Sequence, residues 1–113
     1  MRNQYFVVQY GWRPEDAERI AAAYPQHRAH VDRLGADGGL LQVGVLLHDE
    51  APVPDRVAAL RRDNRSLAVF SSRSSAMAFT REDPYVRAGL IRADPIRAWE
   101  PLEYGPPGRR LAR

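Results

Sequence analysis

The 113-residue chain predicts an α+β fold, and three observations carry that reading. Short runs rich in β-branched and aromatic residues alternate with longer stretches of helical periodicity. Gly and Pro punctuate the joints between them. The resulting order is β-α-β-β-α-β with an antiparallel sheet, the split arrangement of ferredoxin-like domains.

Residues 4–10 (QYFVVQY) read as a strand closed by Gly11, and apolar residues on both faces suit a central place in the sheet. Pro14 followed by Glu15, Asp16 and Glu18 opens a helix, because Pro fits the first turn and acids suit its positive end. The pattern runs on to Tyr24 and meets Pro25, which must kink or restart it. A second piece, residues 26–36, stops at Gly38-Gly39. If the two pieces stay collinear, Ile20, Tyr24, His27, Val31 and Leu34 form one buried stripe. Residues 40–47 (LLQVGVLL) are a second strand, with Leu41, Val43, Val45 and Leu47 alternating on one face.

Residues 48–66 are polar and broken by prolines, with a helical turn expected at 57–62. Residues 67–71 (LAVFS) are a third strand, and a short helix from Ser74 or Ser75 to Thr80 should bury Ala76, Met77 and Phe79. Asp83-Pro84-Tyr85 opens one more turn ending near Gly89. The last strand, 96–104, carries Ile96, Ala98, Leu102 and Tyr104 on one face, and Pro101 demands an edge position or a bulge. One domain is therefore expected over residues 1–104, followed by a basic tail, 105–113 (GPPGRRLAR), expected to be disordered. Two helices cover only one sheet face, so apolar residues on the other call for a second copy of the chain, a homodimer.

Composition removes several chemistries. There is no cysteine, hence no disulfide, thiolate nucleophile or cysteine-held metal. All 17 basic residues are arginine, which excludes a Schiff-base lysine and the phosphate-binding lysine of a P-loop. Proton transfer near neutral pH then falls to three histidines or to a perturbed carboxyl or phenol. The net charge of +3 resides in Arg109, Arg110 and Arg113; over residues 1–104, 14 arginines balance 14 acids. Nucleic acid is not an expected partner, although Arg56, Arg61, Arg62 and Arg65 are a candidate local patch. No run of about 20 apolar residues suggests a membrane span. No signal-peptide pattern opens the chain, so a cytoplasmic location is the default expectation.

His27 falls near the start of the second helical piece, a place that suits a neutral imidazole acting as base, and its stripe aims it at the sheet. On spacing alone the commoner reading is a core histidine bonded to a carbonyl. His30 lies off the stripe and is expected at the surface, and His48 in solvent. His27 and His30 are three residues apart, but no acid on that helical face completes a metal shell, so no metal is expected. Asp83-Pro84-Tyr85 suits a helix cap, its first-turn proline and a packed ring; it also suits a carboxylate orienting an imidazole, with a phenol near a ligand. No GxGxxG, GxxxxGK or GxSxG pattern is present.

His27, then Gly38 and the LLQVG run (Leu40, Leu41, Gln42, Val43, Gly44), resembles the H…G-x-L-L-x-x-G segment of YciI-like, or YCII-related, proteins. Residues 83–90 (DPYVRAGL) resemble their DPYVxAG signature; residues 67–70 before a Ser/Ala-rich helix and Trp99-Glu100-Pro101-Leu102 fit the same order, over residues 5–104. The resemblance implies a ferredoxin-like fold dimerising as an α+β barrel, a pocket between sheet and helices, and a His–Asp pair at His27 and Asp83. Within that family the best-defined activity is dehydrochlorination of a chlorinated hydroxyhydroquinone. The wider superfamily holds muconolactone isomerases and cofactor-free monooxygenases.

This chain departs from the family in two places. Tyr24 stands where relatives carry an arginine, from which a neutral or aromatic ligand is expected, and residues 48–66 lack the usual Gly-rich turn.

The expected function is cofactor-free proton-transfer chemistry, such as isomerisation, elimination or dehydration, on a small cyclic or aromatic metabolite. His27 would be the base or acid, Asp83 its orienting partner and Tyr85 a hydrogen-bonding group, with Tyr24, Tyr5 and Trp99 as further substrate-binding candidates. The alternative is a non-catalytic dimeric binding or accessory module, in which His27 and Asp83 are structural.

Overall fold

The computed structural model describes residues 4–102. Strand β1 (Tyr5–Gly11) lies inside the sheet, antiparallel to β3 (Arg65–Phe70) on one side and to two short strands, β4 (Arg92–Ala93) and β5 (Arg97–Trp99), on the other. Strand β2 (Leu40–Val45) pairs with β3 and forms the edge, giving the order β2-β3-β1-β4. A single 3-10 turn (Pro14–Asp16) leads into α1 (Ala17–Ala22) and α2 (Tyr24–Ala36); α3 (Arg56–Arg62), α4 (Arg73–Glu82) and α5 (Pro84–Arg87) complete the chain. This is the ferredoxin-like antiparallel α+β arrangement.

Pro25 acts as a restart. Ala23 (φ −89°, ψ 1°) separates α1 from α2, and the proline occupies the first turn of α2, where its missing N–H costs nothing. At the other end Gly38 takes φ +82°, which a side chain would resist, and Gly39 passes so close to α4 that a Cβ would lie 2.7 Å from Ser75 Oγ. Those two glycines let β2 start directly beneath the serine-capped end of α4, where Ser72 Oγ accepts from Ser75 N at 3.1 Å.

Four local readings need correction. Pairing of β2 shifts between Leu40 and Gln42, so Leu40, Val43 and Val45 stand opposite Phe70, Ala68 and Ser66. The bulge breaks the simple alternation expected from Leu41 through Leu47. The last strand is shorter than expected: β5 stops at Trp99, before Pro101, and Pro95, with no N–H to give the ladder, parts it from β4; Asp94 N still donates to Gln9 O at 2.8 Å. Met77 is 50% exposed, one residue and so about 100° around the helix from fully buried Ala76. The turn expected at 57–62 is a full helix, α3, whose Asp55 cap accepts from Ala58 N at 2.9 Å. Residues 103–113, with the expected tail and the end of the last strand, lie outside the described residues.

The core sits between the sheet and the helices. Val8 and Tyr10 of β1 and Ala68 and Phe70 of β3 face Ile20, Ala76 and Phe79, all buried. Period two along β1 sends Tyr5, Val7 and Gln9 to the opposite face, where Tyr5 meets Trp99 across the ladder with ring centroids 6.2 Å apart. On that face Trp99 is 47% exposed. Among the described residues, no helix is long and apolar enough to cross a membrane.

Candidate functional site

A cavity of about 660 Å³ opens between the sheet and the helices. Val43 and Val45 of the β2 edge, Tyr10 of β1, and Ile20 and Val31 give it apolar walls, while the segment after β2 and helix α3 form its rim. That rim is built rather than loose. Asp63, at the end of α3, accepts the backbone N–H of His48 at 2.8 Å, and Arg62 donates to the carbonyls of Asp49 (2.9 Å) and Ala51 (2.8 Å) as well as to Asp63 (2.9 Å). The Arg62 guanidinium, followed by the His48 N–H, holds the Asp63 carboxyl below its usual range.

At the inner wall, Asp83 is the N-cap of α5. Its Oδ1 accepts the backbone N–H of Tyr85 at 3.0 Å, and the same oxygen accepts from His27 Nδ1 at 3.1 Å. The imidazole therefore carries its hydrogen on Nδ1 when neutral, and the Nε2 lone pair is left for the cavity. Tyr85 lies flat against His27, ring centroids 4.2 Å apart and planes 14° apart. Carboxylate on one edge and phenol ring on one face fix the imidazole's orientation. His27 is 18% exposed and Asp83 4% by side chain. The helix cap and the histidine partner expected as alternatives for Asp83 are one atom.

Two phenols in the cavity wall are strongly perturbed. Burial, then the neighbouring Asp83 charge, pushes the Tyr85 hydroxyl up to about 12. Burial raises Tyr10 further, against a hydrogen bond with Thr80 at 2.8 Å. Both are therefore neutral hydrogen-bonding groups at ordinary pH. Tyr24 goes the other way: hydrogen bonding to Arg28, then Arg56, lowers it. Arg28 Nη1 donates to its hydroxyl at 3.2 Å, and the Arg56 guanidinium carbon stands 3.7 Å from its ring centroid.

The structure thus brings His27, Asp83, Tyr85 and Tyr24 to one cavity, with Tyr24 and His27 rings 6.4 Å apart. Tyr5 and Trp99 are not among its lining residues, because the strand alternation puts them on the other sheet face. His30, expected at the surface, is buried: its Nε2–H donates to Phe79 O at 2.9 Å, and Arg33 Nη2 donates to its Nδ1 at 3.2 Å. The inner face of α2 is wider than the apolar stripe suggested, because it also packs on the end of α4. Of the basic patch, Arg61 pairs with Glu18 at 3.5 Å, Arg62 braces the rim and Arg56 covers Tyr24. Sequence reasoning passed over Trp12 and Arg28, and named Arg56 and Arg62 only as members of a basic patch, without the contact to Tyr24 or the brace to Asp63. Arg28 follows Tyr24 by four residues and was discoverable from helix spacing; the others depend on the path of residues 46–64. Among the described residues, no group of three or more His, Asp or Glu side chains could hold a metal ion.

Comparison with known proteins follows the same outline. A 5-chloro-2-hydroxyhydroquinone dehydrochlorinase from Burkholderia phenoliruptrix AC1100, solved with 2,5-dihydroxybenzoquinone, is 22% identical, with a TM-score of 0.64 over 84% of this chain and 92% of that one. SnoaB, a cofactor-independent oxygenase from Streptomyces nogalater, is 9% identical, with a TM-score of 0.47 over 91% and 96% of the two chains. A dimeric ferredoxin-like protein from an uncultured marine organism is 13% identical, with a TM-score of 0.42 over 88% and 94%. No curated protein matches the sequence. The family model of the YCII-related domain matches residues 4–100, almost the whole described chain, and by that match the protein belongs to the YCII-related family.

Proposed function

We propose that this protein is an enzyme of proton-transfer chemistry, acting without metal or organic cofactor on a small cyclic or aromatic compound. The observation that carries the reading is the His27 Nδ1–Asp83 Oδ1 hydrogen bond of 3.1 Å at the wall of an open cavity. His27 Nε2 takes a proton from a ligand carbon or hydroxyl, and Asp83 stabilises the imidazolium so formed. Return of that proton at a second position gives isomerisation; loss of a leaving group gives elimination or dehydration. The Tyr85 hydroxyl, kept protonated by its surroundings, donates to the oxygen on which charge develops. The dehydrochlorinase relative acts on a compound of this size class, which supports the choice of ligand.

The assay is deuterium incorporation from D2O, read by NMR, across small phenols, quinones and lactones, together with chloride release from 5-chloro-2-hydroxyhydroquinone. His27→Ala should lower turnover by about 10²–10⁴-fold with unchanged circular dichroism. Full retention of turnover would leave a non-catalytic binding module and sink the proposal.

The proposal extends to assembly. A second copy covers the sheet face that presents Trp99, Tyr5 and Val7, and Trp99→Glu should convert a dimer to a monomer in light scattering. A wild-type monomer at micromolar concentration refutes this part.

A further inference from the structure

Next to the His27–Asp83 pair, the cavity has a second polar pole made of Tyr24, Arg28 and Arg56. Its charges are resolved by pairing. Arg62 is committed to Asp63 and two rim carbonyls, Asp83 to His27, and Arg28 Nε to Asp32 at 2.9 Å. Arg56 has no carboxylate within 4.0 Å among the described residues, and Glu50 is the only acid in the lining left without an ion pair. The Arg56 guanidinium lies over the Tyr24 ring, which covers one of its faces, and among the described residues no carboxylate takes its N–H edges. Those edges are the part that grips a carboxylate with two parallel hydrogen bonds.

We infer that Arg56, seated on Tyr24 and seconded by Arg28, is a carboxylate-binding site, so that the ligand presented to His27 is a small ring compound bearing one carboxylate. A single guanidinium edge matches a carboxylate monoanion rather than a phosphate dianion. Legs of 3.7 Å from Arg56 to the Tyr24 centroid and 6.4 Å from there to the His27 centroid keep anchor and base within reach of one ring and its substituent. The absence of an arginine at position 24 had pointed to a neutral ligand; here the positive charge arrives from α3 instead. The inference rests on the proton-transfer reading for the word substrate, but not for the binding site itself.

The test is an NMR titration of the full chain with 4-hydroxybenzoate and with its neutral isostere 4-hydroxybenzamide. The carboxylate should bind about ten-fold tighter or more. Arg56→Met, at an exposed helix-start position, should abolish that preference, Arg56→Lys should keep part of it, and Glu50→Gln should enlarge it. His27→Ala should leave the preference intact while removing turnover, so the two readings fail separately. Equal affinity for the two probes, a preference that survives Arg56→Met, or no binding of either at millimolar concentration overturns the inference.

Discussion

Asp83→Asn separates the two duties of one oxygen. In the native chain Oδ1 accepts from Tyr85 N at 3.0 Å and from His27 Nδ1 at 3.1 Å. Asparagine keeps an amide oxygen of the same reach and is itself a good cap, so the α5 start should survive with a loss of a few tenths of a kcal/mol. What it removes is the negative charge, and with it the stabilisation of a protonated imidazole. Turnover should therefore fall by about 10²–10⁴-fold while the fold holds. Asp83→Ala removes both duties: a lost cap costs about 1 kcal/mol, and an orphaned His27 N–H, only partly wetted, about 1 more. At roughly 4 °C per kcal/mol for a chain of this size, Tm should drop by about 8 °C in Asp83→Ala and by about 2 °C at most in Asp83→Asn. Calorimetry gives the stabilities, and long-range 15N–1H NMR of the histidine rings reports whether Nδ1 still carries the proton. Wild-type turnover in Asp83→Asn would refute the charge-stabilising role and leave Asp83 an oxygen that caps α5 and orients the ring.

The remaining expectations are independent of turnover. Tyr85 sits at about 12 in the folded chain against an ordinary phenol near 10, so the native state holds that proton longer than the unfolded state does. Its contribution is complete below pH 10 and is lost as pH rises toward 12; urea unfolding across that window should show a shallower decline for Tyr85→Phe than for wild type. Gly39→Ala drives a Cβ to 2.7 Å from Ser75 Oγ and 3.0 Å from Ser75 Cβ, and should cost about 1–3 kcal/mol, part of it recovered by Ser75→Gly on the same background. Arg62→Met releases the carbonyls of Asp49 and Ala51, so limited proteolysis should cut near residues 49–53 sooner while the helical signal persists.

Legibility in the sequence followed the range of the interaction. The β-branched and aromatic run at residues 4–10, whose strand period is two, and the spacing of Ile20, His27 and Val31 are local signals, and the elements formed where those signals placed them. The same strand period was enough to assign Tyr5 to the face away from Val8, yet its aromatic character drew it into the pocket reading; alternation outranks residue type in a strand. The β2 bulge and the break at Pro95 are settled by the partner strand, which no window of one strand contains. His30 was misplaced for a related reason, since the carbonyl that receives its proton belongs to Phe79, 49 residues away. Arg56 lies in a segment without periodicity, and its meeting with Tyr24 depends on the brace between Arg62, Asp63 and the rim.

The proposed mechanism gives Asp83 an electrostatic duty beyond capping. A cap needs an oxygen, and Ser, Thr or Asn supplies one without the cost of desolvating a charge. Asp83 is 4% exposed by side chain, and its only ion-pair partner among the described residues is His27, which is cationic only when it has taken up a proton. Among the described residues no arginine lies within 4.0 Å of it, although arginines pair with Asp16, Asp32 and Asp63 elsewhere. A fold selected for stability alone would neutralise or replace such a carboxylate. In the proposed mechanism the Asp83 carboxylate faces the imidazolium that His27 becomes on taking a proton from the ligand, a duty that a cap alone does not require.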